Sequence, residues 1–413
     1  VTLLLPLALW LLRGQGERER LFHQERAAAR ATGGERDWLL SEVLRDPLEF
    51  LLLEKKRELQ RMKILDLGCG SGEGFELLTS IRRRTSGVET TDSMLVTEDL
   101  IERYLGVDIS QAMVDQGRAS YAGNEKIAFE QADLRAGLPK HIGEEPFDLY
   151  FSSYGSFSHL NDTEFEQLLV DICSHSGERA LIFFDLLGRY SYEWQSRWGE
   201  LPESGMSEYS MAYLPTNGAA GGKVEQFPMR YWSRPGLMTL LDRVRERVGK
   251  KVALRKSYDR SILVGRHMDT GLYNTNAPSM RRVVNMLHES NLRTDLRELL
   301  FDYTPKPGFD EANRFFTRLQ MAWNRVVSHC MDLLSSDQMD PEHEDLDAFP
   351  EPVRGAMKTM ARVIDNVRWM RMGDPRANII EPQLAYALRS LERGLQEGMG
   401  YGHGFIGVIE VTD

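Results

Sequence analysis

Hydrophobic positions from residue 63 onward follow two alternating spacings. Short, nearly continuous apolar runs, typical of buried strands, alternate with segments in which apolar residues recur every three or four positions, typical of amphipathic helices. The strand-like runs are 63–67, 104–110, 127–134, 147–153 and 180–188. Strands that alternate with helices predict βαβ units, and therefore an α/β domain with a doubly wound, mostly parallel sheet covered on both faces.

The later sequence predicts a closing hairpin and then a helical region. The runs 252–261 and 262–269 are expected to pair with each other and to complete a sheet of about seven strands. Beyond residue 271 the helical spacing predominates. It predicts helices at Arg281–Arg293, Phe316–Leu334, Val353–Met370 and Leu384–Leu395. The final run, 404–411, is a strand whose partner the pattern does not identify.

These patterns divide the chain into three parts. Residues 1–62 are expected to form an N-terminal helical lead-in, residues 63–270 an α/β domain, and residues 271–413 a mainly helical region that ends in a strand. We expect two insertions in the domain, one at about 82–102 and one at about 189–232. The second insertion is aromatic and rich in glycine, so it does not continue the alternation of strands and helices.

The first residues are a separate feature. Residues 1–12 are almost entirely apolar, but the stretch is too short to span a bilayer and lacks the basic flank and cleavage site of a secretion signal. We expect a packed or dangling helix, with a weak membrane-surface anchor as the alternative. The valine at position 1 is compatible with a fragment or a misplaced start.

The composition is that of a globular protein with an acidic balance. Hydrophobic residues make up 42% and charged residues 27% of the chain, and the net charge of −11 argues against nucleic acid as a partner. Cys69, Cys173 and Cys330 are far apart and form no CxxC motif or Cys/His cluster. They support neither a disulfide framework nor a zinc site, so we expect a cytoplasmic protein without a bound metal.

The segment KILDLGCGSGEGFELL, residues 63–78, combines a strand, a glycine-rich turn and the start of a helix. Gly68, Gly70 and Gly72 allow backbone N–H groups to approach a ligand closely, and the N-terminus of a helix favours negative charge. A carboxylate, such as that of a bound amino acid, would fit this turn.

An acidic residue follows at the end of the second strand-like run. Asp108 can accept hydrogen bonds from both hydroxyls of a ribose. It lies further from the glycines than the dinucleotide fingerprint requires, and the polar insertion at about 82–102 accounts for the excess. Asp92 is closer in sequence but lies in a poorer strand, so we prefer Asp108.

Four motifs in order carry a resemblance to a known family. LDLGCGSGEG, YLGVDIS, QADL and FDLYFSS resemble the motifs of the class I S-adenosylmethionine-dependent methyltransferases over residues 63–188, and more loosely to Asp269. The spacing D-x-G-x-G-x-G, which begins at Asp66, is similar to the methyltransferase loop and differs from the G-x-G-x-x-G of nicotinamide-binding domains. The resemblance implies a Rossmann-like fold, S-adenosylmethionine as the cofactor and methyl transfer as the activity.

The resemblance also implies roles for individual residues. The glycines would pass the methionine part of the cofactor, and Asp66 would reach its amino group. Asp108 would hold the ribose hydroxyls and Asp133 the adenine amine, with Ile109 or Leu134 against the ring. The implied cofactor-binding residues are Asp66, Gly68, Cys69, Gly70, Gly72, Asp108, Ile109, Asp133, Leu134, Ser152 and Ser153. The last two would sit beside the transferred methyl, and Cys69 is expected to be a small packing residue.

The segment SSYGSFSHL lacks the Asn/Asp-Pro-Pro-Tyr/Phe pattern of amine-directed nucleic-acid and protein methyltransferases, so the resemblance favours the small-molecule branch. His159 is the candidate general base, with packing at the start of the next helix as its alternative, and Tyr154 is a second candidate catalytic residue. Five residues of the 189–232 insertion are expected to bind the substrate: Tyr190, Tyr192, Trp194, Arg230 and Tyr231. The alternative for the first three is ordinary packing. Arg230 with Tyr231 would form either an anion-binding lid or a surface patch.

Three functions stay open at this point. The first is a methyltransferase that transfers a methyl group to an O, N or C atom of a small-molecule acceptor. The second is a methyltransferase for a protein or RNA partner, and the third is a scaffold protein that binds S-adenosylmethionine without turnover. The helices beyond residue 281 would either cover the pocket or form a partner surface, including that of a homodimer.

Overall fold

The computed structural model describes most of the chain from residue 43 onward. The described residues are 43–55, 60–83, 94–203, 205–211, 226–335, 348–367, 369–370 and 373–413. The apolar stretch 1–12, most of the helical lead-in, Asp92 and the middle of the insertion at about 82–102 lie outside the described residues.

Five parallel strands form one part of the central sheet. They are β1 (Met62–Leu67), β2 (Ile101–Asp108), β3 (Ile127–Gln131), β4 (Leu149–Ser152) and β5 (Arg179–Gly188). Their order in space is β3-β2-β1-β4-β5, and Leu65 of β1 is paired with Leu105 of β2 on one side and Tyr150 of β4 on the other. The predicted doubly wound, Rossmann-like sheet is confirmed. Its switch point, where ligands bind in such sheets, lies at the carboxyl ends of β1 and β4.

Amphipathic helices cover both faces of this sheet. They are α1 (Glu73–Thr79), α2 (Gln111–Ser120), α3 (Asp162–His175) and α4 (Arg234–Arg247). Side-chain caps fix where two of them begin: Ser110 Oγ accepts from the Met113 amide, and Asn161 forms a capping box with Glu164. The apolar sides of α3 and α4 pack on one face, and α1, α2 and the helical residues 43–55 pack on the other.

The far edge of the sheet differs from the prediction. Strand β9 (Lys251–Arg260) is present, but residues 262–269 are not a strand, so the predicted hairpin is wrong. The C-terminal strand β10 (Gly404–Thr412) instead lies antiparallel between β5 and β9. Eight of its nine residues are buried, as suits a strand in the interior of a sheet. The apolar side chains of Ile262 and Leu263 are buried in the core of the helical region instead.

The C-terminal helices share a core with part of the 189–232 insertion. They are α5 (Met280–Met286), α6 (Asp310–Ser335), α7 (Glu351–Val367) and α8 (Glu381–Leu395), the last preceded by a π-helix at Arg376–Ile380. Their buried faces form one cluster with Tyr192, Trp194 and Trp198. None of the helices among the described residues has the length and apolar content that crossing a bilayer requires.

The described part of the 189–232 insertion contains three short strands. β6 (Ser207–Ser210) and β7 (Gln226–Met229) pair antiparallel with each other, and β8 (Tyr231–Trp232) pairs with β5. The insertion therefore lies over the carboxyl end of β5 and connects the central sheet to the helical region.

Candidate active site

The turn after β1 contains three glycines with a left-handed backbone. Their φ angles are +79° at Gly68, +57° at Gly70 and +105° at Gly72, a region in which a residue with a Cβ is strained. Space is short as well, because a Cβ on Gly68 would lie 2.5 Å from the Cβ of Ser156 and one on Gly72 would lie 2.7 Å from the Tyr121 ring. The sequence therefore requires glycine here, and the turn presents backbone at the switch point of the sheet.

Asp108 ends β2 and bonds to this turn. Its carboxylate accepts from the Gly70 amide at 2.9 Å and from the Ser110 amide at 2.8 Å. Burial raises the pKa of Asp108 above its usual value, and these hydrogen bonds oppose the rise. The neighbouring Ile109 is an exposed apolar side chain with 40% of its surface accessible. An acidic group and an apolar surface thus lie together beside the glycines.

Asp66 lies beneath the turn and is almost completely buried. Its Oδ2 accepts a hydrogen bond from the Tyr104 hydroxyl at 2.5 Å, and its Oδ1 has no hydrogen-bond partner among the described residues. Gly74 makes room for the carboxylate, because a Cβ there would lie 2.1 Å from Oδ2. Burial raises the pKa of Asp66 to about 7, against the effect of the Tyr104 hydrogen bond. The carboxyl is therefore balanced between its two protonation states near neutral pH.

Two other predicted cofactor-binding residues, Cys69 and Asp133, contact residues close to them in the sequence. Cys69 is buried, which raises the pKa of its thiol well above the usual value, and its Sγ lies 3.4 Å from the Gly70 carbonyl oxygen. Asp133 accepts from the Arg135 amide at 3.0 Å and pairs with the Arg135 guanidinium, which lowers its pKa. An adenine amine would have to share the Asp133 carboxylate with Arg135. Leu134, next in the chain, is half-buried.

The loop after β4 connects the glycine turn to a cavity. Ser152 and Ser153 are buried where the strand ends, and Ser156 Oγ lies 3.2 Å from the Gly68 carbonyl oxygen. Between them Tyr154 has a φ angle of +63°, which non-glycine residues rarely adopt. A strained backbone of this kind persists only where its surroundings hold it, and it is concentrated at functional sites.

A cavity lies beside Tyr154. Its wall combines apolar side chains from the ends of β5 and β7 with polar side chains from β9 and the segments around it. The lining residues are Tyr154, Gly155, Leu186, Leu187, Tyr209, Met211, Phe227, Met229, Arg260, Arg266 and His403. The structure thus brings Tyr154, a predicted catalytic residue, to the cavity.

His159 does not line this cavity in the part of the chain that the structure describes. Its ring stacks on Phe227, with ring centres 5.2 Å apart, and its buried Nε2 has no hydrogen-bond partner among the described residues. Burial lowers the pKa of His159 to about 4, which leaves a weak base. The packing alternative describes His159 better than the general-base prediction.

The five residues predicted to bind the substrate make structural contacts and do not line the cavity in the described part of the chain. Tyr192, Trp194 and Tyr231 are buried in the core that the C-terminal helices share, and Tyr190 packs at its edge against Trp198 and Phe309. None of the five is among the described residues that line the cavity. Aromatic side chains fill cores as readily as they line pockets, and here the core contact is what the structure shows.

Arg230 also makes structural contacts. Its guanidinium bonds to the Asp162 carboxylate at 2.6 Å and to the backbone carbonyls of Glu203 and Tyr231. The same group lies over the Trp232 ring, 4.4 Å from its centre. Arg230 therefore ties the insertion to the start of α3 and is not placed as an anion-binding residue of the cavity.

Sequence reasoning did not find the polar residues opposite Tyr154. His403 lies on the cavity and its Nδ1 is 2.6 Å from Oε2 of the buried Glu193. Arg260 also lies on the cavity and pairs with the buried Asp185 at 2.8 Å. The partners are 210 and 75 positions apart in the chain, and no local motif marks either pair.

Residues 95–176 match a family model described as a methyltransferase domain. The matched segment runs from just before β2 to the end of α3, and it includes Asp108 and the loop after β4. This segment of the chain is similar to a methyltransferase domain. The order of its parallel strands gives the chain a Rossmann-like fold. The glycine turn precedes the matched segment and joins it through the bond between Gly70 and Asp108.

No curated protein matches this chain significantly. The solved structures to which it is similar include an S-adenosylmethionine-dependent methyltransferase from Clostridium acetobutylicum, at 15% identity over 51% of this chain and 82% of that chain, with a TM-score of 0.33. One from Mesorhizobium loti has 18% identity over 49% and 79%, with a TM-score of 0.29. A glycopeptide N-methyltransferase has 14% identity over 52% and 83%, with a TM-score of 0.32.

Proposed function

We propose that the methyltransferase transfers a methyl group from S-adenosylmethionine to a small-molecule acceptor that binds in the cavity between Tyr154 and His403. The observation that carries this proposal is the loop after β4. Its Ser156 is in contact with Gly68 of the glycine turn, and its Tyr154 lines the cavity. A cofactor on the turn and an acceptor in the cavity would therefore meet at one short loop.

The turn has the features that this cofactor requires. The buried Asp66 has an unpartnered Oδ1 that an ammonium group can bond to, and the glycines keep side chains away from the backbone. Asp108 would hold the ribose hydroxyls, with the apolar Ile109 beside it for the adenine ring. When bound, S-adenosylmethionine supplies a methyl group on a positively charged sulfur, which makes a good leaving group.

The residues around the cavity would contribute placement and exclusion of water. Leu186 and Met229 are buried apolar side chains of its wall, and they would hold the body of an acceptor out of solvent. Tyr154 lies between the turn and the cavity and would orient the acceptor toward the cofactor. Alignment of the two reactants in a dry site supplies a large part of the rate acceleration in a displacement of this kind.

The wall of the cavity favours a small acceptor over the alternatives, because it is formed largely by buried side chains. RNA is disfavoured by the net charge of −11. The three cysteines are free and buried, which supports the cytoplasmic location expected from the sequence.

The test is a methyl-transfer screen with methyl-labelled S-adenosylmethionine and three acceptor pools: small molecules, total protein and total RNA. The proposal expects label in small-molecule products. Met229→Phe, which fills the cavity, should abolish transfer while leaving cofactor affinity within about twofold. Met321→Phe makes the same change on an exposed surface of α6 and should leave transfer intact. Label in protein or RNA only, or undiminished transfer by Met229→Phe, would contradict the proposal.

A further inference from the structure

A glutamate and a histidine form a buried pair in the cavity wall. Oε2 of Glu193 lies 2.6 Å from Nδ1 of His403, and both side chains are more than nine-tenths buried. Gly265 provides the space for the carboxylate, because a Cβ there would lie 2.4 Å from its carbon. The Trp194 ring packs behind the imidazole, with ring centres 5.7 Å apart. The hydrogen bond to Glu193 and the packing of Trp194 together therefore fix the position of the imidazole.

The hydrogen bonds of Glu193 decide which nitrogen of His403 carries the proton. The carboxylate also accepts from the backbone amide of His267 and lies 3.4 Å from Ser191 Oγ. A carboxylate with these donors is ionised, so it accepts from His403 and Nδ1 is the protonated nitrogen. Nε2 is then an acceptor. The ring lines the cavity.

The charges around the imidazole favour its neutral form. Burial lowers the pKa of His403, and Glu193 opposes this. The other titratable or charged groups that act on it are His267, Arg260 and Arg266, and the two guanidinium groups lower its pKa further. Nε2 is therefore unprotonated at neutral pH, and Glu193 beside Nδ1 stabilises the imidazolium once a proton is received, a partner that His159 lacks among the groups that set its pKa.

The same groups indicate the charge of the acceptor. Arg260 is paired with Asp185, and Glu193 is paired with His403. The carboxylates of the cavity wall are therefore already engaged and do not recognise a cation. The rest of the wall is largely apolar, with Leu186, Leu187, Met211, Phe227 and Met229. A neutral molecule with an apolar body is the complementary ligand.

We propose that His403, positioned by Glu193, is the general base of the methyltransferase, and that the acceptor is a neutral hydroxyl group on an apolar body. This rests on the proposed function. As the acceptor oxygen forms its bond to the methyl carbon, the electron pair of the methyl–sulfur bond stays with sulfur and the hydroxyl proton passes to Nε2. The products are a methyl ether, a neutral thioether and an imidazolium held by Glu193, which returns its proton to solvent.

The deciding experiment is ¹H–¹⁵N NMR of the full chain with ¹⁵N-labelled histidine, with the His403 signals assigned by comparison with His403→Gln. At pH 7 we expect a neutral imidazole protonated on Nδ1 alone. In Glu193→Gln this single tautomer should be lost. An Nε2-protonated ring or an imidazolium in the wild type at pH 7 would overturn the proposal, whether or not an acceptor is known.

Kinetics with the acceptor found in the screen give the second readout. His403→Gln should lower kcat by about 100-fold or more and remove the acidic limb of the kcat profile, while cofactor affinity stays within about twofold. Glu193→Gln should lower kcat less and shift that limb. His288→Gln, on a half-buried histidine after α5, is the control and should change neither. A preferred acceptor whose nucleophile carries no proton would also overturn the base role.

The two proposals fail in different ways. If S-adenosylmethionine does not bind to the wild type, the proposed function fails. If it binds and methyl transfer occurs, but the tautomer of His403 is wrong or His403→Gln keeps its kcat, only the inference about the base fails.

Discussion

The Asp108 carboxylate accepts a hydrogen bond from the Gly70 amide over 2.9 Å. This contact ties the end of β2 to the turn that follows β1, at the point where a doubly wound sheet binds its ligand. The third strand end at this point is that of β4, whose loop reaches the turn through Ser156 and the cavity through Tyr154. The glycine turn and the cavity are therefore joined by side-chain-to-backbone hydrogen bonds at the ends of adjacent parallel strands.

The glycine turn gives the first prediction. Gly68→Ala should cost about 1–2 kcal/mol in unfolding free energy, because a side chain is forced into the left-handed region, and it should lower affinity for S-adenosylmethionine at least tenfold. The matched control is Gly143→Ala, which has a similar φ of +91° but open space around its Cβ. It should lose less stability, because only the backbone is strained there, and it should keep its affinity. Equal affinity in the two variants, measured by calorimetry, would contradict a cofactor role for the turn.

Protonation of Asp66 gives the second prediction. Its pKa of about 7 means that the carboxyl is mostly protonated at pH 6 in the free protein. A bound ammonium group favours the ionised form, so binding at pH 6 should release up to about one proton per cofactor. Calorimetric enthalpies in two buffers of different ionisation enthalpy measure this number. In Asp66→Asn the release should vanish, and a wild-type enthalpy that is independent of buffer would argue against contact with the amino group.

His159 gives a prediction about acid stability. Its pKa is about 4 in the folded chain and about 6.5 when unfolded. Between these values the unfolded chain binds a proton that the folded chain does not, so stability falls as the pH drops from 6.5 to 4, by roughly 3 kcal/mol from this site. His159→Phe should lose less stability than the wild type between pH 7.5 and pH 5 in urea titrations. His267, whose pKa is about 3, makes the same contribution to this loss of stability in the wild type and in His159→Phe. Identical losses would mean that His159 is already solvated.

Arg230 gives a prediction that separates structure from binding. Arg230→Met leaves Asp162 and two backbone carbonyls without their donor, which should cost about 2–3 kcal/mol in unfolding free energy. Cofactor affinity should stay within about twofold. Arg314→Met removes an exposed arginine 3.9 Å from Glu311 and should cost little. Unchanged stability with weakened acceptor binding would restore the pocket role that the sequence predicts for Arg230.

Local features made the central fold predictable. The glycine turn, the acidic end of β2 and the apolar strands are each encoded within a few residues, and the alternation of strands and helices sets the parallel sheet. The match of residues 95–176 to a methyltransferase domain covers β2, β3 and β4 of this part, but neither the glycine turn nor β5. The strand boundaries in the structure differ from those predicted from the sequence by a few residues, because the spacing of side chains marks the ends of strands only approximately.

Long-range features could not be predicted in the same way. The run 404–411 has the composition of a buried strand, but nothing in it says that it enters between β5 and β9. That placement brings His403 to Glu193 and Gly404 to the Arg260–Asp185 pair, so the polar wall of the cavity depends on it. The role of the aromatic residues at 190–194 could not be predicted for a different reason. The same aromatic side chains occur in protein cores and in substrate pockets.

The most direct test of the central claim is calorimetric titration with S-adenosylmethionine and S-adenosylhomocysteine, with NADH as the control nucleotide. We predict micromolar binding of the first two compounds and no binding of NADH. In Asp108→Ala the affinity for S-adenosylmethionine should fall at least tenfold. Asp115→Ala, on an exposed position of α2, should bind as the wild type does. Wild-type affinity in Asp108→Ala, or no binding of either sulfur compound, would contradict the account.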